Sequence, residues 1–419
     1  MSAPAGLPLL QALRQAIAFE PIGEPAGNLT LGRGKLEGRP LHVALVENRV
    51  ASGSLGVLEA EKLGTLLGIV ARERSSLVLF LDSAGARVSE GLAALGAFRN
   101  LYRAGLTAAL VAAPIAAVLG RNCYGGSSML AHLAPQRLFG DNTQLGMSGP
   151  SIIASASGAN PLDEMFRAMA DAAMSPAARA KASAANTVWK SGDALLPWLR
   201  DALAQRGDPI ASLRIRHELL GARFERRPPD PPWEALRRRD LEKIYAAAYE
   251  ARESQGFVTG KGTRAGAEES FIGIVGKMPL GSARAWRFAE AVWQQVDAPP
   301  RRLEVYLDCA THAAKLDDER LVLTEYIVDM AFALASLRAK GTSVGLTVLG
   351  KAGGGVYVAL AAPATRVASV HGADIQVLPG AAVAAILGES REAAPSFDEY
   401  RASGVADEEI KLGFVPGAA

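Results

Sequence analysis

Two glycine pairs at the ends of apolar strands are the residues of this sequence best placed to do chemistry. Gly125 and Gly126 run into Ser127 within Gly120-Arg-Asn-Cys-Tyr-Gly-Gly-Ser127, after the apolar stretch Ile115–Leu119. Gly354 and Gly355 run into Val356 within Gly350-Lys-Ala-Gly-Gly-Gly-Val356, after Ser343–Leu349. A helix start leaves its first N–H groups without intrahelical partners and partially positive. Glycine lets a ligand oxygen reach those groups without meeting a Cβ. The amides of Gly126 and Ser127, and of Gly355 and Val356, therefore read as oxyanion holes. One such donor contributes roughly 2.7–4 kcal/mol to a transition state. A third candidate turn is Ser148-Gly149-Pro150. The competing reading, that glycine only lets helix and strand pack closely, loses weight because the pattern occurs twice.

Other candidates are weaker. Cys123 adjoins the first glycine pair, but no neighbouring histidine supplies the base a nucleophile needs. His132 reads as a polar residue satisfied within a helix. Glu90 has the type of a general acid or base, yet no second inward carboxylate accompanies it, so a charge at a helix N-terminus is the better reading. Gly256-Phe-Val-Thr-Gly-Lys-Gly-Thr263 resembles a phosphate loop but is one residue short and follows no clear strand. Gly32-Arg-Gly34 lacks dinucleotide-binding spacing. Five histidines and two cysteines show no metal-ligand spacing, so no metal site is expected.

The elements that would position these turns follow from periodicity. Residues 28–49 alternate, carry turn glycines and read as a hairpin ending in strand Leu41–Val46. Leu58, Leu63, Leu66, Leu67 and Val70 have helical spacing. Leu77–Leu81 is apolar throughout, as a strand covered on both faces must be. It leads through Asp82, Ser83, Ala84, Gly85, Ala86 and Arg87 to a helix and then to Ile115–Leu119. The second half repeats the plan: a strand near Phe271–Val275, a helix near Ser282–Gln295, strand Leu303–Leu307, one long helix Asp317–Lys340, and strand Ser343–Leu349. Two similar halves suggest a pseudo-twofold molecule with a cleft between them. The proline-rich segment 226–232 marks the expected linker between a domain over 1–225 and another over 233–419. Beyond about Ser390 the tail is expected to be loosely held.

Length and composition suit two domains with sizeable cores: 419 residues, 49% hydrophobic and 6% aromatic. A net charge of +2 leaves no basic excess for a nucleic-acid partner, and Arg237–Arg239 reads as a solvated helix face. Two cysteines cannot build a disulfide framework, which points to a reducing compartment. No secretory signal is apparent, and the longest apolar stretch, 106–120, is too short for a bilayer. A cytoplasmic protein without nucleic-acid or membrane partners is the expectation.

At these residues the chain resembles the carboxyltransferase branch of the crotonase superfamily. The likeness rests on Leu81-Asp-Ser-Ala-Gly-Ala-Arg-Val-Ser-Glu-Gly91, Gly120-Arg-Asn-Cys-Tyr-Gly-Gly126 and Leu145-Gly-Met-Ser-Gly-Pro-Ser-Ile-Ile153. The first half is similar to the beta subunit of biotin-independent malonate decarboxylase. The second half, through Gly350-Lys-Ala-Gly-Gly-Gly355, is similar to the gamma subunit, so the chain resembles a beta–gamma fusion. The resemblance implies an α/β fold of two crotonase-like (carboxyltransferase) domains, each a ββα spiral with helices around it. It implies decarboxylation of a malonyl thioester to the acetyl thioester and carbon dioxide, the thioester being carried on coenzyme A or on the phosphopantetheine arm of an acyl carrier protein. No cofactor bound directly, an acyl or malonyl transferase partner and a homo-oligomer are also implied. By residue, Gly125, Gly126 and Ser127, with Ser148, Gly149 and Pro150, would hold the malonyl group. Gly354, Gly355 and Val356 would form the opposing hole, and Asp82 to Arg87 part of the acyl-pocket wall. Tyr124 is a weak candidate for proton donor to the enolate carbon. Two alternatives accompany this reading: a carboxyltransferase passing the carboxyl group to a biotinyl carrier, and a non-catalytic acyl-binding scaffold. Ser151 and Ala154 stand where the beta family has acidic residues, and Gly353 and Gly354 depart from the gamma pattern. The zinc-ribbon cysteines of the acetyl-CoA carboxylase beta subunit do not occur in the sequence.

Overall fold

Leu41–Val46, Leu77–Leu81 and Ile115–Leu119 are apolar runs that need cover on both faces, and they become adjacent parallel strands of one sheet. The computed structural model describes residues 8–160, 163–204, 207–224, 238–245, 248–254, 257–264, 266–276, 278–378, 383 and 395–411. The fold is α/β, with two units, each compact in itself. Unit 1 comprises Met1–Glu90, Asn100–Ser212 and Ala314–Glu325; unit 2 comprises Gly91–Arg99, Leu213–Ala313 and Tyr326–Ala419. Each unit thus includes a short segment from the other half of the sequence. The expected linker 226–232 lies outside the described residues.

Unit 1 holds strands β1 (Glu20–Pro21), β2 (Leu29–Leu36), β3 (Arg39–Val46), β4 (Leu77–Ser83), β5 (Ile115–Tyr124), β6 (Gln136–Phe139), β7 (Gln144–Gly146) and β8 (Asn186–Val188). Their order is β1-β2-β3-β4-β5-β6-β8, with β7 beside the far end of β5. The β1–β2–β3 ribbon is antiparallel; every later pairing is parallel. Leu10, Leu13, Val43, Phe80, Val118, Leu138 and Leu199 meet in the main core of this unit.

Unit 2 repeats the plan with β9 (Tyr249–Ser254), β10 (Phe257–Arg264), β11 (Ala267–Val275), β12 (Arg302–Cys309), β13 (Ser343–Gly353), β14 (Arg366–Val370), β15 (Asp374–Gln376) and β16 (Glu408–Ile410). The order is β16-β14-β13-β12-β11-β10-β9, with β15 beside β13. The β9–β10–β11 ribbon is antiparallel and the rest parallel.

Two expectations need correction. The single helix expected over Asp317–Lys340 is two helices, Leu316–Arg320 and Leu323–Ala339. Val322 between them has φ +64°, a conformation a β-branched residue adopts only when its surroundings force it. The neighbouring Glu319 and Glu325 supply the reason, since both are buried in ion pairs of unit 1. Over 395–411 the tail is not loose: β16 pairs with β14, and the buried Tyr400 donates to Ala373 O and accepts from Ile375 N. The phosphate-loop candidate falls largely within β10, a strand hydrogen-bonded on both sides; Gly256 is outside the described residues. Among the described residues, no helix is long and apolar enough to cross a membrane.

Candidate active site

In parallel α/β sheets the carboxyl ends of the strands are where loops can gather around a ligand. In unit 1 those ends are Ser83, Tyr124 and Gly146, and all three carry sequence-selected neighbours. β4 and β5 stay in register to Leu81↔Leu119 and resume at Ser83↔Cys123, so three residues of β5 oppose Asp82 alone. Asp82 fills that bulge: its Oδ1 accepts from Asn122 N at 3.0 Å. A Cβ at Gly120 would lie 2.5 Å from the Asp82 Cβ, so only glycine fits there. Burial raises the Asp82 pKa, against the pull of the Asn122 N–H and the Arg121 charge.

The bulge delivers the chain to the glycine turn. Gly125 has φ +54°, the left-handed region that favours glycine. Its N–H donates to Met147 O at 3.2 Å, and the helix Gly125–Ala131 starts there. Gly85, with φ +99°, packs its bare Cα against this turn; a Cβ there would sit 3.0 Å from Gly126 N and 3.0 Å from Tyr124 O. Among the described residues, no acceptor takes the Gly126 N–H. Ser127 is buried and donates to Ser83 Oγ at 2.6 Å, while Gly85 N donates to the same oxygen at 3.1 Å. The Asp82–Arg87 stretch and the Gly125–Ser127 turn are therefore brought together.

The third turn is also close. Tyr124 is the link: its ring lies where a Gly149 Cβ would be 3.6 Å away, and its hydroxyl donates to Gln144 Oε1. Burial, reinforced by the Glu319 charge, raises the Tyr124 pKa and keeps the phenol protonated. The Ser148 N–H is occupied, donating to Glu319 Oε1 at 2.8 Å; Pro150 opens the next helix, Pro150–Ser157. Arg87 is committed as well: it pairs with Glu59 and with Glu90 and donates to Ser54 O at 2.9 Å. Glu90 accepts from Val57 N, the first residue of the helix Val57–Glu73, which is the helix-terminus role its sequence context suggested.

Unit 2 reproduces the device. Register runs to Leu307↔Val348 and resumes at Cys309↔Ala352. Asp308 Oδ1 accepts from Lys351 N at 2.8 Å, and a Gly350 Cβ would lie 2.4 Å from the same carboxylate oxygen. Gly354, with φ +52°, starts the helix Gly354–Ala361, which carries Gly355 and Val356 in its first turn. The two copies differ three residues beyond the bulge. Ala86 bridges Leu55 in unit 1, and His312 bridges Leu280 in unit 2. The buried His312 places Nδ1 4.0 Å from where a Gly354 Cβ would stand. Burial lowers its pKa to about 4, so the imidazole is neutral at pH 7.

The sign of that shift makes a prediction. A histidine that titrates near 6.5 when unfolded and about 4 when folded binds its proton better in the unfolded chain. Its contribution to stability is complete above pH 6.5 and is lost as pH falls towards 4, to about 3 kcal/mol in total. His312→Gln is expected to flatten the acid limb of the stability–pH curve of unit 2, read by hydrogen exchange of β12 and β13 between pH 7 and pH 4.

Residues 9–174 match the carboxyl transferase domain. The methylmalonyl-CoA carboxyltransferase 12S subunit of Propionibacterium freudenreichii subsp. shermanii is 30% identical over 152 residues, 36% of this chain and 29% of that one. The acetyl-coenzyme A carboxylase carboxyl transferase subunit beta of Synechococcus sp. (strain JA-3-3Ab) is 31% identical over 137 residues, 32% of this chain and 44% of that one. The matched regions thus span less than half the length of these curated relatives. Among solved structures, a Pseudomonas malonate decarboxylase hetero-tetramer in complex with malonate is similar at 20% identity and TM-score 0.43, over 52% of this chain and 89% of that chain. The transcarboxylase 12S hexamer is similar at 18% identity and TM-score 0.39, over 96% of this chain and 86% of that chain.

Unit 1 holds Cys123 as an inert thiol. It is fully buried, and burial together with the Asp82 charge pushes its pKa up. Cys123→Ala is expected to keep turnover within about threefold, and iodoacetamide to leave this position unlabelled in the native chain. Intact-mass and peptide mapping would check it.

Sequence reasoning missed two buried ion pairs of unit 1. Arg179 and Glu319 pair at 3.1 Å, and Arg137 and Glu325 at 2.8 Å, all four nearly inaccessible to solvent. Arg137 also donates to Asn186 Oδ1 and Ala134 O. Asp317-Asp-Glu-Arg320 looks like a solvated face, and nothing in its spacing marks Glu319 as buried.

Proposed function

We propose that the chain removes the carboxyl group of a malonyl thioester, carried on coenzyme A or on an acyl carrier protein. The observation that carries this reading is the Gly125–Gly126 turn: a left-handed glycine at the end of a buried strand, faced by Gly85, with the Gly126 N–H unclaimed among the described residues. The match of residues 9–174 to the carboxyl transferase domain supports it.

The bond between the carboxylate and the α-carbon breaks, and its electron pair moves to the thioester oxygen. Carbon dioxide leaves and an enolate remains. The Gly126 and Ser127 amides bind the charge as it forms on oxygen, which accelerates the step because the interaction is stronger in the transition state than in the substrate. Gly149, beside Tyr124, borders the malonyl group, since the Ser148 N–H is taken by Glu319. Ala84 to Ala86 wall the acyl pocket; Asp82 and Arg87 act behind it through their bonds to Asn122, Glu59 and Glu90. Gly354, Gly355 and Val356 form a second amide site of the same kind. The enolate carbon then takes a proton, with the protonated Tyr124 phenol a candidate source.

A second reading is transfer of the carboxyl group to a biotinyl carrier, favoured by curated relatives named as carboxyltransferase subunits. Carboxyl-labelled malonyl-coenzyme A and malonyl acyl carrier protein, incubated with and without a biotinyl carrier, separate the two. Labelled carbon dioxide and acetyl thioester formed without biotin support decarboxylation. Label retained on biotin, with none released, replaces it by transfer, and turnover of neither substrate rejects both.

A further inference from the structure

We propose that Glu319 is a positioning residue for the amide turn of the carboxyl transferase domain, acting through the single peptide group that joins Met147 to Ser148. This rests on the reading of Gly125–Ser127 as the site of charge stabilisation.

One peptide carries the connection. Its N–H, that of Ser148, donates to Glu319 Oε1 at 2.8 Å. Its carbonyl, that of Met147, accepts from Gly125 N at 3.2 Å. The carboxylate therefore holds one end of a peptide whose other end holds the first residue of the glycine turn, and hydrogen bonds in such a chain strengthen one another. The Met147 N–H donates to the same carboxylate oxygen at 2.9 Å, so the segment cannot pivot about a single bond.

The carboxylate is itself fixed. Arg179 donates to Glu319 Oε2 at 3.1 Å and to the Glu319 carbonyl, and its Nε donates to Leu145 O at 2.7 Å. Asn186 Nδ2 donates to Arg179 O at 2.7 Å, tying the arginine to β8. A Cβ at Gly146 would come within 2.8 Å of Glu319 Oε2, so the strand is glycine where the carboxylate must enter. A carboxylate serves here better than a neutral acceptor because it takes two N–H groups on one oxygen while pairing a guanidinium with the other. Glu319 comes from the second half of the sequence yet packs as part of unit 1.

The test uses the full chain carrying Glu319→Gln and, separately, Glu319→Asp. Gln keeps the side-chain size but turns an N–H₂ towards Arg179; Asp keeps the charge but falls one methylene short. Peptide-resolved hydrogen exchange is expected to accelerate at least tenfold over 144–149 and 124–128 in both variants, with the other strands of unit 1 unchanged. On a malonyl thioester, kcat per folded molecule is expected to fall at least tenfold and KM to stay within threefold, whereas lost folding alone would lower the active fraction and leave kcat per folded molecule unchanged. Unchanged exchange over 124–128 overturns the proposal, whether or not 144–149 loosens. So does normal kcat per folded molecule in both variants. If the unaltered chain does not turn over the thioester, the functional reading fails on that result, and the exchange measurement still decides the role of Glu319.

Discussion

Gly126→Val is expected to lower kcat/KM on a malonyl thioester by at least about 100-fold while the chain stays folded. The valine side chain would stand where the substrate oxygen must approach the amide, removing a donor of the kind whose loss costs roughly 2.7–4 kcal/mol of transition-state stabilisation. The backbone at this position does not require glycine. Gly126 is the second residue of its helix and half-buried, and its conformation is not among the left-handed ones. In a helix valine is no worse than glycine. Gly125 offers a contrast. A Cβ there meets nothing closer than 3.7 Å, but φ +54° makes any side chain strained, so Gly125→Ala should reduce stability as well as turnover. Steady-state kinetics beside urea unfolding separates the two. Full activity in Gly126→Val would place the oxygen elsewhere.

Arg137→Met is the substitution expected to cost most in stability. Arg137 and Glu325 are almost wholly buried, and removing the guanidinium leaves a carboxylate without its principal counter-charge. Breaking such a pair on one side typically destabilises by about 3–5 kcal/mol. Replacing both partners by apolar residues, as in Arg137→Met with Glu325→Leu, should recover much of that loss, because the penalty lies in the uncompensated charge. Hydrogen-exchange protection of β5 and β6 would report it. A single variant as stable as the parent would contradict this expectation.

The repeat was legible because it is written in residue types that physics restricts. Strands buried on both faces must be apolar, and Leu77–Leu81 and Leu303–Leu307 both proved to be central parallel strands. Asp82 and Asp308 recurred in the sequence too, but their work was not readable there. Each carboxylate caps a backbone amide inside a β-bulge, a role that depends on three residues of one strand opposing one of the next. Gly120 and Gly350, which look like ligand-facing glycines, instead make room for those carboxylates.

What stayed hidden depends on contacts between residues distant in sequence. Glu319 lies more than 130 residues from each of its partners Met147, Ser148 and Arg179, and Asp317-Asp-Glu-Arg320 resembles any exposed helix start. Asp317–Lys340 read as one helix, whereas the chain turns at Val322 so that Glu319 and Glu325 can reach their arginines. β8 and β16 are three residues each and carry no alternation long enough to read. His312 had no metal-like or triad-like neighbours in sequence; only the strand end brings it to Gly354.

The most direct measurement is of the Gly126 amide itself. A chain labelled with ¹⁵N-glycine would be titrated with a malonyl thioester analogue that binds without losing carbon dioxide, and each glycine amide followed by NMR. The account predicts a saturable downfield shift at Gly126, produced by a hydrogen bond to the thioester oxygen and absent with the free thiol. An analogue that binds and leaves the Gly126 resonance in place would contradict it.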